Sequence, residues 1–175
     1  EQEIRIGIGL NSGATLVGNV GSDQRFNYSV MGDTVNVAAR LEGQTKDYAQ
    51  TILIGESTYA DAMTAINDGQ PPMAFLELDL IALKGKALPQ RIYALLGGAE
   101  MAESEDFQTL KAGQDAVLQA YRTQSWDVAE KTARALCATH PALGDYYEML
   151  IGRINAYRNN PPEADWTGQF IAQTK

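Results

Sequence analysis

The chain has 175 residues, 45% hydrophobic and 21% charged, which is enough for one buried core and an appendage. A formal charge of -8 argues against a nucleic-acid or anionic-membrane role, because the mean field repels phosphate backbones and acidic lipid. A lone Cys137 forms no internal disulfide and His140 is the only histidine, so a Cys/His zinc site is excluded and the composition reads as that of a reducing, cytoplasmic compartment.

The chain opens EQEIRIGIGL, without a methionine and already in a strand pattern, as expected of a fragment cut from a longer protein. Across residues 4–10 the alternate Ile4, Ile6 and Ile8 make one strand face, and the interleaved glycines admit a second backbone at close range. Asn11, Ser12 and Gly13 are turn residues, followed by an apolar segment over 14–20, a polar loop over 21–25 and a strand over 26–31 that pairs with that segment as a hairpin. Gly32 ends the strand, and Asp33 is the predicted N-cap of a helix whose inward stripe is Val37, Ala38 and Leu41. A short strand at 51–54, a helix at 56–66 and strands at 75–83 and 91–96 follow, the last two separated by KGKALP at 84–89. No apolar run reaches the length of a membrane span.

This order predicts an α/β fold, an α+β sandwich over residues 1–98, followed by a small all-α extension over 99–175. In the extension Phe107, Leu110, Val117, Leu118 and Tyr121 recur at helical spacing. A second helix starts at Trp126 with Ala129, Ala133 and Leu136, Pro141 breaks it, and a third runs over 146–157. Small alanines at the helix contacts give the pair a tetratricopeptide-like look. One such unit is too few for a free solenoid, so it is expected to pack on the first domain, with an irregular tail carrying Trp166 and Phe170 over a surface. Trp126, Tyr146 and Tyr147 read as core aromatics, and His140 as a helix-end residue.

The stretch YSVMGDTVNVAARLE, residues 28–42, carries the chemistry. Asn36 and Arg40 stand one helical turn apart and project from one face. An amide and a guanidinium aimed at one place suit an anionic group whose charge grows during reaction, such as a phosphoryl centre. Spacing alone favours the plainer reading of a surface Asn and an Arg paired with Glu42 or Asp33. The glycine-rich GLNSGATLVGNVG matches neither GxGxxG nor a P-loop ending in GK[ST].

Three segments in register, IRIGIGLNSG, RFNYSVMGDTVNVAARLE and ALKGKALPQRIYAL, resemble the C-terminal half of the class III adenylate/guanylate cyclase catalytic domain over roughly residues 1–97. The resemblance implies a partial ferredoxin-like cyclase core that works as a head-to-tail homodimer. It implies conversion of ATP to cyclic AMP and pyrophosphate with two Mg²⁺ or Mn²⁺ ions. By position, Asn36 is similar to the family's ribose-orienting Asn and Arg40 to the Arg that stabilises the pentacovalent phosphorus. Arg5 and Lys84 are similar to the residues on the nucleotide phosphates. Ser29 stands at the base-reading position, where a hydroxyl favours ATP over GTP without exclusivity. The family's two metal-binding aspartates match no position here and are expected upstream of Glu1; neither Asp33 nor Asp23 replaces them. This implies a fragment inactive alone and a parent enzyme in intracellular signalling, with any membrane attachment in an N-terminal region. The alternatives are a catalytically silent cyclase-like dimerisation or regulatory module, and a helical protein-interaction adaptor.

Overall fold

The computed structural model describes residues 6–22, 25–82, 88–163 and 165–171. In chain order the elements are β1 (Ile8–Leu10), β2 (Leu16–Ser22), β3 (Arg25–Met31), α1 (Asp33–Gln44), β4 (Ile52–Gly55), α2 (Glu56–Asn67), β5 (Ala74–Ala82) and β6 (Gln90–Gly97). They continue as α3 (Ala99–Glu103), α4 (Glu105–Arg122), α5 (Trp126–Thr139), a 3-10 turn (Pro141–Leu143), α6 (Gly144–Asn159) and β7 (Gln169–Ile171). The mixed α/β class with helices toward the C-terminus is as the residue pattern predicts.

A five-stranded sheet in the order β1-β4-β6-β5-β7 forms the frame, and β2 and β3 pair separately as an antiparallel hairpin. Strand alternation sorts the side chains onto two faces. Leu53, Ile92 and Ala94 enter one large core with Val37 and Leu41 of α1 and with Leu110, Val117, Leu150 and Ile154 of the C-terminal helices. Ile54, Phe75 and Tyr93 point the other way and meet Tyr59, Met63 and Ile66 of α2. Helix α1 and the C-terminal helices therefore share one face of the sheet, and α2 covers the other.

Two expectations differ from the observed chain. Of the strand expected over 4–10, residues 8–10 form β1 and residues 6 and 7 do not join it, while residues 4 and 5 lie outside the described residues. The tail is not wholly irregular: β7 lies parallel to β5, with Leu80 opposite Gln169, Ile81 opposite Phe170 and Ala82 opposite Ile171. The unpaired edge of β5 explains this, since its free N–H and C=O groups accept any extended segment that can reach them. No helix among the described residues is long and apolar enough to cross a membrane.

Candidate functional site

The polar helix α1 is held at both its start and its flank. At the start, Gly32 adopts φ 151°, a conformation that side chains rarely tolerate, and its carbonyl accepts from Val35 N at 3.2 Å and Asn36 N at 3.3 Å. Gly32 is thus the N-cap, and the expected Asp33 cap is corrected: Asp33 is the first helical residue, and α1 has no side-chain cap bond. The abrupt passage from β3 into the helix demands the glycine conformation, which moves the cap one residue upstream. Asp33 then lies in the first turn, where a carboxylate complements the positive helix end.

Along its flank α1 lies directly on β1. A Cβ on Gly9 would sit 2.1 Å from the Ala38 carbonyl oxygen and 2.3 Å from Glu42 N, so only a residue without a side chain permits this approach. The loop at 11–15 clamps the helix start: Asn11 Nδ2 donates to the Thr34 carbonyl at 3.4 Å and Thr34 Oγ1 donates to the Ala14 carbonyl at 3.2 Å. Ser57 Oγ, on α2, donates to Asn11 Oδ1 at 2.9 Å, so the same loop is tied to a second helix.

On this frame Val37 and Leu41 are buried, while Asn36 and Arg40, each one residue earlier in the helix, are exposed and half-buried. Neither polar side chain hydrogen-bonds or ion-pairs with another described residue, so the pairing of Arg40 with Glu42 that spacing allowed does not form. Ser29 is half-buried on β3 opposite Gly18 of β2, four residues ahead of α1. A Cβ on Gly18 would meet nothing within 4 Å, which leaves the space across from Ser29 open. Arg5, Lys84, Lys86 and Asp23 lie outside the described residues.

Among the described residues no group of three or more His, Cys, Asp or Glu side chains converges to hold a metal. The described part of the chain does not by itself fit the two ions that the resemblance implies. Of the remaining candidates, Tyr146 and Tyr147 are fully buried and Trp126 packs among Tyr121, Tyr157 and Trp166, while His140 is the C-cap of α5. Sequence reasoning missed Thr34, Asn11 and Ser57 as the clamp of α1. The turn character of Asn11 was legible, but its partners on α1 and α2 were not.

Residues 1–97 match the family described as Adenylate and Guanylate cyclase catalytic domain. The chain is 36% identical over 95 residues to "Adenylate cyclase 1" of Rhizobium meliloti (strain 1021), covering 54% of this chain and 13% of that protein. It is 34% identical over 108 residues to "Adenylate cyclase, terminal-differentiation specific" of Dictyostelium discoideum, covering 62% of this chain and 5% of that protein. The chain therefore spans a small part of the length of these relatives. Among solved structures it is similar to the adenylyl cyclase CyaB from P. aeruginosa, at 35% identity and a TM-score of 0.39, covering 50% of this chain and 40% of that one.

Proposed function

Because this chain belongs to the adenylate and guanylate cyclase catalytic domain family, we propose that it is the ribose- and phosphate-binding part of a nucleotide cyclase that converts ATP to 3',5'-cyclic AMP and pyrophosphate. In that reaction the ribose 3'-oxygen loses its proton and forms a bond to the α-phosphorus, while the bond from that phosphorus to pyrophosphate breaks. Asn36 orients the ribose, and Arg40 neutralises the charge that gathers on the phosphorus oxygens as the fifth bond forms. Arg5 and Lys84 bind the remaining phosphates, and Ser29 offers its hydroxyl to the adenine edge.

The observation that carries this reading is the pair Asn36 and Arg40, displayed on a clamped helix without protein partners among the described residues. A guanidinium left unpaired on a rigid element is preorganised for an anion, which a solvated surface arginine is not. The family's metal chemistry rests on side chains that the described residues do not assemble. We assign the Mg²⁺ or Mn²⁺ ligands to sequence outside this chain, and the chain alone is expected to be inactive.

A second copy across the site is supported by the hairpin surface. Leu16 is 74% exposed and Tyr28 77%, and Val17, Val30 and Met31 are exposed with them. A patch of this kind on one ribbon marks an interface. We further propose that the helices α4 to α6 form a tetratricopeptide-like extension that begins near residue 98.

The test is a cyclase assay on the polypeptide extended upstream of Glu1, with ATP or GTP and Mn²⁺. Cyclic AMP formation well above cyclic GMP formation supports the assignment. A folded, dimeric protein that binds ATP and releases no pyrophosphate would favour the silent regulatory module instead.

A further inference from the structure

Strand β5 carries an acid, Asp79, that is 2% exposed. The pairing of β5 with β6 slips between Glu77 and Asp79, so the alternation shifts by one residue. Ala74 and Leu76 before the slip, Leu78 within it and Ile81 after it all enter the core shared with α1, and Asp79 is turned toward that layer as well. There the Tyr48 hydroxyl donates to Asp79 Oδ2 at 2.6 Å, and the Arg153 guanidinium pairs with the same oxygen. Arg153 Nη2 also donates to the Tyr48 hydroxyl oxygen at 3.3 Å, and Asp79 Oδ1 accepts from Leu80 N at 2.8 Å. The guanidinium carbon lies 3.4 Å from the Phe170 ring centroid and 5.3 Å from that of Tyr48.

These groups come from four separate parts of the chain. Tyr48 belongs to the turn that leaves α1, where its amide donates to Gln44 O and its side chain is fully buried. Asp79 is on β5, Arg153 on α6 and Phe170 on β7. Burial, followed by the Asp79 charge, holds the Tyr48 hydroxyl well above its usual range, which keeps it a donor. Burial acts to lower the Arg153 pKa, but Tyr48 and Asp79 outweigh it and the net direction is upward. A planar fork reaches both oxygens and stacks on Phe170 at once, which a lysine cannot do.

We infer that Arg153 is a positioning residue for the α1 site: through Asp79 and Tyr48 it fixes the exit turn of α1, and with it the stance of Asn36 and Arg40. The C-terminal helices thus act on the site through the exit turn of α1. The inference rests on reading α1 as the ribose and phosphate helix, but its mechanical part does not need the reaction.

The experiment uses the full-length polypeptide and two variants. Tyr48→Phe removes one hydroxyl and leaves the Arg153–Asp79 pair in place, and Arg153→Lys keeps the charge without the fork. Hydrogen exchange of amides 41–50 is expected to accelerate about threefold or more in each variant, with α4 and α5 unchanged. Turnover of ATP is expected to fall about tenfold at unchanged KM, because a small displacement of a positioned group costs rate rather than binding. Unchanged exchange at 41–50 in a folded variant overturns the inference, as does faster exchange with unchanged turnover. If Arg153→Lys fails to fold, Tyr48→Phe decides alone. If the unaltered protein makes no cyclic nucleotide, the cyclase assignment fails and exchange alone supports or overturns the link.

Discussion

Two side chains decide most at the residue scale. Arg40 is proposed to act on charge that exists only as the phosphorus gains its fifth bond, so its loss falls on turnover. Arg40→Ala in the full-length protein is expected to cost about 3–4 kcal/mol of transition-state stabilisation, read as a fall in kcat with little change in ATP binding. Unchanged kcat in a folded variant would return Arg40 to the surface. Far from that site, Glu130 on α5 has its carboxyl held below its ordinary 4.5 by the hydrogen bond from Arg134 and then by Arg158. The folded state therefore binds fewer protons there than the unfolded chain. Its contribution is present above pH 4.5 and drains as pH falls through the lowered value. Melting temperature against pH should decline less steeply on the acid side for Glu130→Gln than for the unaltered chain.

At the scale of elements, the position of α1 depends on what β1 lacks. The close approach at Gly9 lets the helix backbone lie on the strand at Ala38 and Glu42, within a turn of Arg40. Gly9→Ala places a methyl group against the Ala38 carbonyl and should destabilise the fold by about 1–3 kcal/mol, measured by denaturant titration. The alternating Ile and Gly of IRIGIGL made the close approach readable from sequence, because only a backbone can use such gaps. The Asp33 cap was misread for a related reason. Cap preference is a local rule, and here the strand-to-helix break at Gly32 overrode it. The β7 pairing was not legible either, since three residues of ordinary strand character name no partner.

At the scale of the whole molecule, the sheet and the C-terminal helices pack together, as expected of the extension. One core runs from Val37 and Leu53 through Leu76 and Ile92 to Tyr121, Tyr146 and Ile154. Gln114 of α4 donates to the Glu77 carbonyl at 2.8 Å and to the Tyr146 hydroxyl at 2.7 Å, and Tyr146 donates on to the Leu78 carbonyl at 2.8 Å. A polypeptide ending at residue 98 would expose that face of β5 and take Arg153 away from Asp79. It is expected to lose cooperative thermal unfolding and to aggregate, while the intact chain unfolds in one transition, as calorimetry would show.

What the sequence determined by itself is the run of strands and helices from β2 to β6 and the three long helices after them, because hydrophobic period, turn residues and motif spacing are properties of neighbours along the chain. The helices at 107–121, 126–136 and 146–157 and the one-turn spacing of Asn36 and Arg40 on α1 were of that kind. What only the tertiary structure decided is where the alternation of β5 breaks and which distant groups meet there. A bulge depends on the partner strand's register, and the meeting of Tyr48, Asp79 and Arg153 spans more than a hundred residues. No local preference fixes such a contact; it exists because α1 and α6 lie on one face of the sheet that contains β5.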